Sequence, residues 1–125
     1  MNSKRFLQAS ILAFLIPLFV AFYNKIWITA ITLLGVTIFS FLYHYHDQKR
    51  YYFYDNFFAW VLIASNFYIC YLGNFSFPYF LFVVVLVFTA LYQYFYLQNK
   101  DFLLWHSFWH ITSAMITLFS ILTYL

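Results

Sequence analysis

The stretch SFLYHYHDQKRYYFYDNFFAW, residues 40–60, separates two long apolar runs of the chain. Its centre, DQKR at 47–50, is polar and mostly charged, whereas aromatic and aliphatic residues dominate both flanks. A short charged break between apolar runs marks the point where a chain leaves a membrane and turns back. The stretch therefore predicts two antiparallel membrane-spanning helices joined by a short polar loop.

The composition of the whole chain is typical of a membrane protein. Its 125 residues are 66% hydrophobic and 7% charged, against about 45–50% apolar and about 25% charged residues in soluble domains. Three acidic and six basic side chains cannot cover a soluble globule of this size, so lipid must be its solvent. The six cations are scattered and form no basic patch, so we expect no nucleic-acid partner. The single cysteine, Cys70, permits no intramolecular disulfide and is predicted to be a small core residue.

Five apolar runs of this chain can cross a bilayer as helices. An 18-residue helix covers about 27 Å, which is close to the hydrocarbon thickness of a membrane. Pro17 lies in the first run, where neighbouring helices can tolerate a kink. We therefore predict an all-α fold, a polytopic transmembrane helical bundle of about five spans that forms a single domain over residues 1–125. The predicted spans are 6–23, 26–43, 57–72, 78–97 and 102–124.

The basic residues predict the orientation of the bundle. Alternating the five spans leaves Lys25 alone on one side of the membrane and collects the other cations on the opposite side: Lys4, Arg5, Lys49, Arg50 and Lys100. The positive-inside rule assigns this second side to the cytoplasm. The amino terminus is then cytoplasmic and the carboxyl terminus outside. The first run could instead be a cleaved signal peptide, and residue 25 would still reach the outer side.

Five residues with polar or ionisable side chains are predicted to share one membrane depth near the cytoplasmic side. Ser40 and His44, at i and i+4, lie on one helix face near the end of the second span. His106 and His110 have the same spacing near the start of the fifth span, and Asp55 opens the third. Ionisable groups within spans cost about 2.5–3.5 kcal/mol to insert, so each is a candidate functional residue.

The residue types in this group suit a catalytic zinc ion. Three imidazoles, from His44, His106 and His110, leave the fourth tetrahedral position open, whereas a structural site would be closed by a fourth protein ligand. Bound zinc lowers the pKa of water from about 15.7 to about 7. Asp55 would take the proton of that water, and Ser40 would hydrogen-bond to the water or to the oxyanion formed from a carbonyl. A site inside the bilayer suits a lipid substrate.

Each of these residues also has a simpler interpretation. A lone histidine near the end of a span is more often an interfacial residue than a ligand. His46, about 200° around the helix from His44, is assigned to that class. Asp55 alone could interact with a helix N-terminus, and Ser40 alone could bond to its own helix backbone.

The remaining polar residues are expected to have structural roles or to face solvent. Asn66 and Gln93 lie inside predicted spans and are expected to hydrogen-bond between helices. Asp47 and Asp101 lie in loops beside basic residues and are expected to be solvated charges.

The order of the candidate residues resembles the alkaline ceramidases, whose superfamily includes the adiponectin and progestin receptors and the myomaker-like proteins. Ser40-x-x-x-His44 is followed eleven residues later by Asp55, and His106-x-x-x-His110 lies in the last span. The 40–60 stretch is similar to the second-to-third helix segment of the ceramidase branch, and HSFWHITSA, beginning at His106, is similar to its final helix. The segment YHYHDQ also resembles the myomaker-like branch.

This resemblance implies zinc ligation by His44, His106 and His110, with Asp55 and Ser40 beside the zinc-bound water. The implied reaction is hydrolysis of a lipid amide such as ceramide to a sphingoid base and a fatty acid. Members of the family usually have seven spans. The chain would be a shortened five-helix member. Because an even number of helices is lost, the remaining motifs still come to the same side of the membrane.

We therefore expect a zinc-dependent intramembrane hydrolase of a lipid amide or ester. The alternative is a non-enzymatic membrane protein with a structural metal site, acting in lipid sensing, membrane remodelling or subunit assembly. A lateral opening from lipid to the histidines would favour the enzyme, whereas a sealed site with four protein ligands would favour the structural role. Five thin spans bury little surface against one another, which is compatible with a homo-oligomer in either case.

Overall fold

The computed structural model describes residues 3–46 and 49–125, and these residues form a helical bundle. Its helices are α1 (Ser3–Ser10), α2 (Leu15–Tyr23), α3 (Trp27–His46), α4 (Lys49–Leu72), α5 (Tyr79–Phe95) and α6 (Phe102–Tyr124). Short 3₁₀ segments connect α1 to α2 at Ile11–Phe14 and precede α6 at Leu97–Asn99. The predicted all-α fold class is confirmed. The predictions for Asp47 and for the side chain of His46 fall outside the described residues.

Three helical segments of the described chain are long and apolar enough to cross a membrane: Lys4–Tyr23, Trp27–Tyr45 and Tyr79–Asn99. They correspond to the first, second and fourth predicted spans. α4 and α6 have 24 and 23 residues and are therefore long enough to cross as well. Their composition is more polar, because α4 begins with charged residues and α6 buries hydroxyl and imidazole groups. Membrane crossing by α4 and α6 stays a prediction.

The first helical segment tightens to 3₁₀ geometry one turn before Pro17. A proline ring has no N–H to donate and collides with the carbonyl group four residues earlier, here that of Ala13. Ala13 lies within the 3₁₀ segment Ile11–Phe14. The chain continues as α2, so the predicted local distortion is accommodated without ending the span.

α6 is the central helix of the bundle. It contacts α1, α2, α4 and α5, while α3 packs against α2 and α4. Small residues on α6 let neighbouring helices approach closely. Hydroxyl groups on this helix bond to their own backbone, as Ser120 Oγ does to the Ile116 carbonyl at 2.7 Å. The buried face of α6 consists of Ser107, His110, Thr112, Ala114, Thr117, Ser120, Ile121 and Thr123.

Large apolar side chains cover the outside of the bundle. Phe19 and Phe67, for example, are 71% and 74% exposed. Soluble monomers rarely present such extensive apolar surface to water, so this surface suits contact with lipid. The interior, in contrast, combines an aliphatic cluster around Ile11, Leu33 and Ile121 with buried serine and threonine residues.

Side-chain hydrogen bonds join α4 to the helices on either side of it. Asn66 Nδ2 donates to Thr117 Oγ1 of α6 at 3.1 Å, which confirms its predicted role between helices. The Thr29 and Ser65 hydroxyl oxygens lie 3.2 Å apart across α3 and α4. Gln93 is buried in α5, but its amide oxygen has no hydrogen-bond partner among the residues that the structure describes.

Cys70 and Asp101 lie outside the candidate site, and the sequence predicts a role for each. Cys70 is buried, as expected of a small core residue. Asp101 is exposed but is more than a solvated charge, because its carboxylate accepts a hydrogen bond from the Leu104 N–H at 3.3 Å. Asp101 therefore caps the N-terminus of α6, the helix that carries two of the candidate histidines.

Candidate metal centre

Three histidine rings meet between α3 and α6. The ring centroid of His44 lies 4.9 Å from that of His106 and 5.3 Å from that of His110. The two rings on α6 are 4.5 Å apart, because residues at i and i+4 share a helix face. One ring nitrogen from each histidine lies within 4.8 Å of the others. The predicted convergence of the three histidines is confirmed, and together they could hold a metal ion.

The spacing of one pair of ring nitrogens, from His44 and His106, suits a tetrahedral ion. Zn–N bonds of about 2.0–2.1 Å at tetrahedral angles place two ligand nitrogens about 3.3–3.4 Å apart. His44 Nε2 and His106 Nε2 are 3.2 Å apart, close to this value. The cluster found among the described residues contains three ligands, so a tetrahedral ion would keep one position for water or substrate.

Partners of the remaining ring nitrogens determine which nitrogens can bind a metal. His110 Nδ1 lies 2.9 Å from Ser10 Oγ, and the Ser10 hydroxyl already donates to the Leu7 carbonyl at 2.7 Å. While Ser10 donates to Leu7, its oxygen accepts a hydrogen from His110 Nδ1. His106 Nδ1 lies 3.4 Å from Gln98 Oε1, an amide oxygen that can only accept. These partners favour a hydrogen on Nδ1 of both rings, with Nε2 as the acceptor.

Ser40 lies between the histidine cluster and Asp55. Its hydroxyl oxygen is 3.5 Å from His110 Nε2, and the hydroxyl also hydrogen-bonds to the Asp55 carboxyl group. Ser40 is 1% exposed, and Asp55 is partly buried. The structure therefore brings the predicted serine and aspartate to the same place as the three histidines.

Asp55 precedes the predicted span 57–72 but lies inside α4, because the helix begins before that span. α4 begins at Lys49, and no acidic residue lies in its first turn. No glycine or proline interrupts residues 49–56, and the aromatic residues there continue the helix in the N-terminal direction. The helix macrodipole acts mainly within the first turn, so it does not account for the position of Asp55.

Two concave surfaces adjoin the site. A cavity of about 230 Å³ lies between α1, α3 and α6 and is lined by Lys4, Leu7, Tyr43, His44, Phe102 and Leu103. An aromatic groove of about 390 Å³ lies between α3 and α4 and is lined by Phe39, Phe53, Tyr54, Phe57 and Phe58. Phe39 and Tyr54, which stack with their ring centroids 5.0 Å apart, are the chain neighbours of Ser40 and Asp55.

Ser10 and Gln98 were not among the predicted site residues. Ser10 lies in an apolar run one hundred residues before His110, and Gln98 lies in the turn before α6. The count of membrane crossings gave one indication that Ser10 could reach the site, because the first and fifth spans are expected to start at the same membrane face. Gln98 gave no comparable indication, since polar residues are ordinary in turns.

Comparison with known proteins gives no assignment: no protein-family model, curated protein or solved structure matches this chain. The fold and the site by themselves define a class, an all-α membrane bundle whose three clustered histidines could hold a metal ion. The resemblance to the alkaline ceramidases stays an expectation based on the motifs.

Proposed function

We propose that this protein is a zinc-dependent hydrolase that cleaves an acyl bond of a lipid within the membrane. The observation that carries the proposal is the meeting of His44, His106 and His110 beside a buried serine that hydrogen-bonds to Asp55. The ceramidase-like motifs suggest a ceramide or a related lipid amide or ester as substrate. The same motifs favour zinc over other metals that bind imidazole.

The three imidazoles fit this metal in number and in chemical form. Zinc with three nitrogen ligands supplies Lewis acidity and, by lowering the pKa of water to about 7, hydroxide at neutral pH. In the tautomers that Ser10 and Gln98 favour, His106 and His110 present neutral acceptor nitrogens, which is the form of histidine that binds a metal. Their partners Ser10 and Gln98 hold the rings in place.

Asp55 and Ser40 would perform the proton and charge chemistry of the reaction. In this proposal the Asp55 carboxylate accepts the proton of the attacking water and later returns a proton to the leaving group. Once Asp55 has accepted that proton, the Ser40 hydroxyl hydrogen turns from the Asp55 carboxyl group to the substrate carbonyl oxygen, where negative charge develops. Because Ser40 is almost fully buried, bulk water does not compete for this hydrogen bond.

The concave surfaces beside the site support an enzymatic role over a purely structural one. The cavity reaches His44, whereas a sealed cluster would serve structure alone. In our proposal, the aromatic groove between α3 and α4 receives the acyl chain, because it is apolar and its residues neighbour Ser40 and Asp55. The cavity then receives the polar part of the lipid.

We further propose that the site lies near the cytoplasmic side of the membrane, with the amino terminus cytoplasmic and the carboxyl terminus outside. Lys4 lines the same cavity as His44, so a basic residue that the positive-inside rule assigns to the cytoplasm lies at the histidine end of the bundle. The bundle exposes much apolar surface, which is compatible with a homo-oligomer in the bilayer.

Metal analysis of the purified protein tests the central part of this proposal. We expect about one zinc per chain, because three imidazoles and one open position define a single tetrahedral site. His44→Ala and His110→Ala should each abolish stoichiometric zinc, since two remaining imidazoles hold the ion poorly. His46→Ala is the matched control and should keep the zinc, because the helical spacing predicts a different face for residue 46.

A folded protein that binds no transition metal would contradict the zinc proposal. The 3.2 Å approach of His44 Nε2 to His106 Nε2 would then be a hydrogen bond in which one ring supplies the proton. In that case the second candidate function applies, a non-enzymatic membrane protein in which the polar cluster joins α3 to α6.

A further inference from the structure

We propose that Ser10 and Gln98 are positioning residues of the metal centre, which keep the hydrogens of His110 and His106 on Nδ1 so that Nε2 of each ring is free to bind the ion. This role rests on the metal site proposed above and makes α1 and the turn before α6 part of it. Positioning groups of this kind fix the tautomer and orientation of metal-binding histidines in many proteins.

Ser10 has one hydroxyl hydrogen and two polar neighbours, the Leu7 carbonyl and His110 Nδ1. A serine hydroxyl has one hydrogen, and in Ser10 that hydrogen is directed to the Leu7 carbonyl at 2.7 Å. The Ser10 oxygen can therefore only accept from His110 Nδ1, 2.9 Å away. The opposite tautomer would require the Ser10 hydroxyl to leave the Leu7 carbonyl and donate to Nδ1, with the Nε2 hydrogen directed to the more distant Ser40 oxygen at 3.5 Å. Ser10 therefore favours the tautomer that leaves His110 Nε2 unprotonated.

Gln98 acts on His106 in the same way. Its side-chain oxygen faces His106 Nδ1 at 3.4 Å, so the ring donates and Nε2 keeps its lone pair. Rotating the amide by 180° would turn a donor toward Nδ1 and favour a hydrogen on Nε2, the atom that faces His44. The Gln98 amide nitrogen is buried with no hydrogen-bond partner in the described part of the chain. The contact of Gln98 Oε1 with His106 Nδ1 is therefore the polar contact that explains the position of the Gln98 side chain.

Aromatic neighbours hold the planes of the same two rings. Phe14 contacts the His110 ring edge to face, with centroids 5.9 Å apart. Phe102 stacks on the His106 ring at 4.8 Å with an interplanar angle of 18°. Ser10 and Phe14 both belong to the first helical segment, so this segment fixes both the protonation and the orientation of the His110 ring.

Metal affinity is the first test of Ser10. Ser10→Ala should bind Zn²⁺ or Co²⁺ about 10 to 100 times more weakly than the parent in competition with a chelator in detergent, because loss of such a partner typically has this effect. Ser120→Ala is the matched control, since it removes a buried serine with the same intrahelical bond length of 2.7 Å and should leave affinity unchanged. Ser10→Thr keeps the hydroxyl group and should restore most of the affinity.

Gln98 has its own matched control in Gln93, a second buried glutamine. Gln98→Leu should weaken metal binding, whereas Gln93→Leu should not, because the side-chain oxygen of Gln93 has no hydrogen-bond partner in the part of the chain that the structure describes. The visible absorption of the Co²⁺-loaded protein gives a second readout, since a misplaced imidazole alters the ligand field. A mere loss of stability would instead lower the melting temperature of both variants without changing the spectrum.

Nitrogen NMR of the histidine rings in metal-free protein separates this proposal from the metal proposal itself. We expect His110 and His106 to carry hydrogen on Nδ1 in the parent, and His110 to gain the Nε2 tautomer in Ser10→Ala. If the parent binds metal and Ser10→Ala binds it equally well, the positioning role is wrong while the metal site stands. If the parent binds no metal, the zinc proposal fails, and hydrogen found on His110 Nε2 would overturn the positioning role as well.

Discussion

At the scale of single residues, the centre depends on how each histidine divides its two nitrogens. His106 and His110 each bond to another side chain through Nδ1 and face the cluster through Nε2. A neutral imidazole avoids the large cost of burying a charge, and a buried serine or glutamine satisfies its N–H. The contacts of Ser10 with His110 and of Gln98 with His106 therefore each link two parts of the chain.

Asp55 is the residue whose replacement best separates catalysis from metal binding. Asp55→Asn should retain zinc, because the carboxylate is not one of the three clustered ligands. It should lower turnover about 10²- to 10⁴-fold, since loss of a general base has an effect of this size. Fatty-acid release from ceramides, phospholipids and acyl esters, measured beside zinc content, gives both quantities.

Asp101→Asn provides the control for that experiment. Asp101 is exposed and caps α6, and asparagine is an equally good capping residue, so both turnover and stability should stay at the parent level. Parental turnover by Asp55→Asn on a lipid that the parent cleaves would show that another group accepts the proton.

At the scale of helices, close approach is permitted by the two glycines of the chain. Gly73, at the turn after α4, lies so near the end of α6 that an added Cβ would overlap the backbone carbonyl of Thr123. Gly35, on α3, faces the Phe58 ring, which an added Cβ would meet at 2.5 Å. The two contacts differ in kind, because a ring can rotate or shift whereas a helical backbone cannot.

This difference predicts unequal effects of the same substitution. Gly73→Ala should destabilise the protein by about 1–3 kcal/mol, the usual cost of overpacking, and should lower the melting temperature measured in detergent. Gly35→Ala should lower it less, since Phe58 lines the aromatic groove and has room to move. A larger loss for Gly35→Ala would mean that the Phe39–Phe58 stack, at 5.3 Å, is more rigid than the turn at Gly73.

At the scale of the whole molecule, the bundle has two chemically different ends. Lys4, His44 and Phe102 line one cavity, so the starts of α1 and α6 and the end of α3 lie together. Gly73 and Thr123 are in contact at the other end, near the carboxyl terminus. The three clustered histidines and the carboxyl terminus are therefore at opposite ends of the bundle.

The orientation can be tested with single cysteines in a Cys70→Ser background. Leu125→Cys should react with a membrane-impermeant maleimide on intact cells, because an odd number of crossings places the carboxyl terminus outside. Lys100→Cys, in the turn before α6, should react only after the cells are permeabilised. Labelling of both positions on intact cells would contradict the five-span orientation, and the reverse pattern would show that the bundle is inverted.

The sequence alone determined the class of fold and the common membrane depth of the three histidines. Apolar runs of membrane length impose helices, because backbone N–H and C=O groups in lipid must bond within their own segment. The i, i+4 spacing places His106 and His110 on one helix face. The count of membrane crossings places His44 at the same end of the bundle. Both rules follow from local geometry, so no knowledge of packing was needed.

The tertiary structure decided the features that depend on how helices rotate and pack against one another. Ser10 meets His110 only because the first helical segment turns that face toward α6, and Gln98 reaches His106 only through the conformation of the 3₁₀ turn. The early start of α4 and the capping role of Asp101 likewise depend on the path of the chain at helix ends. Hydropathy and residue spacing indicate how deep a side chain lies in the membrane, but helix packing determines which side chain it meets there.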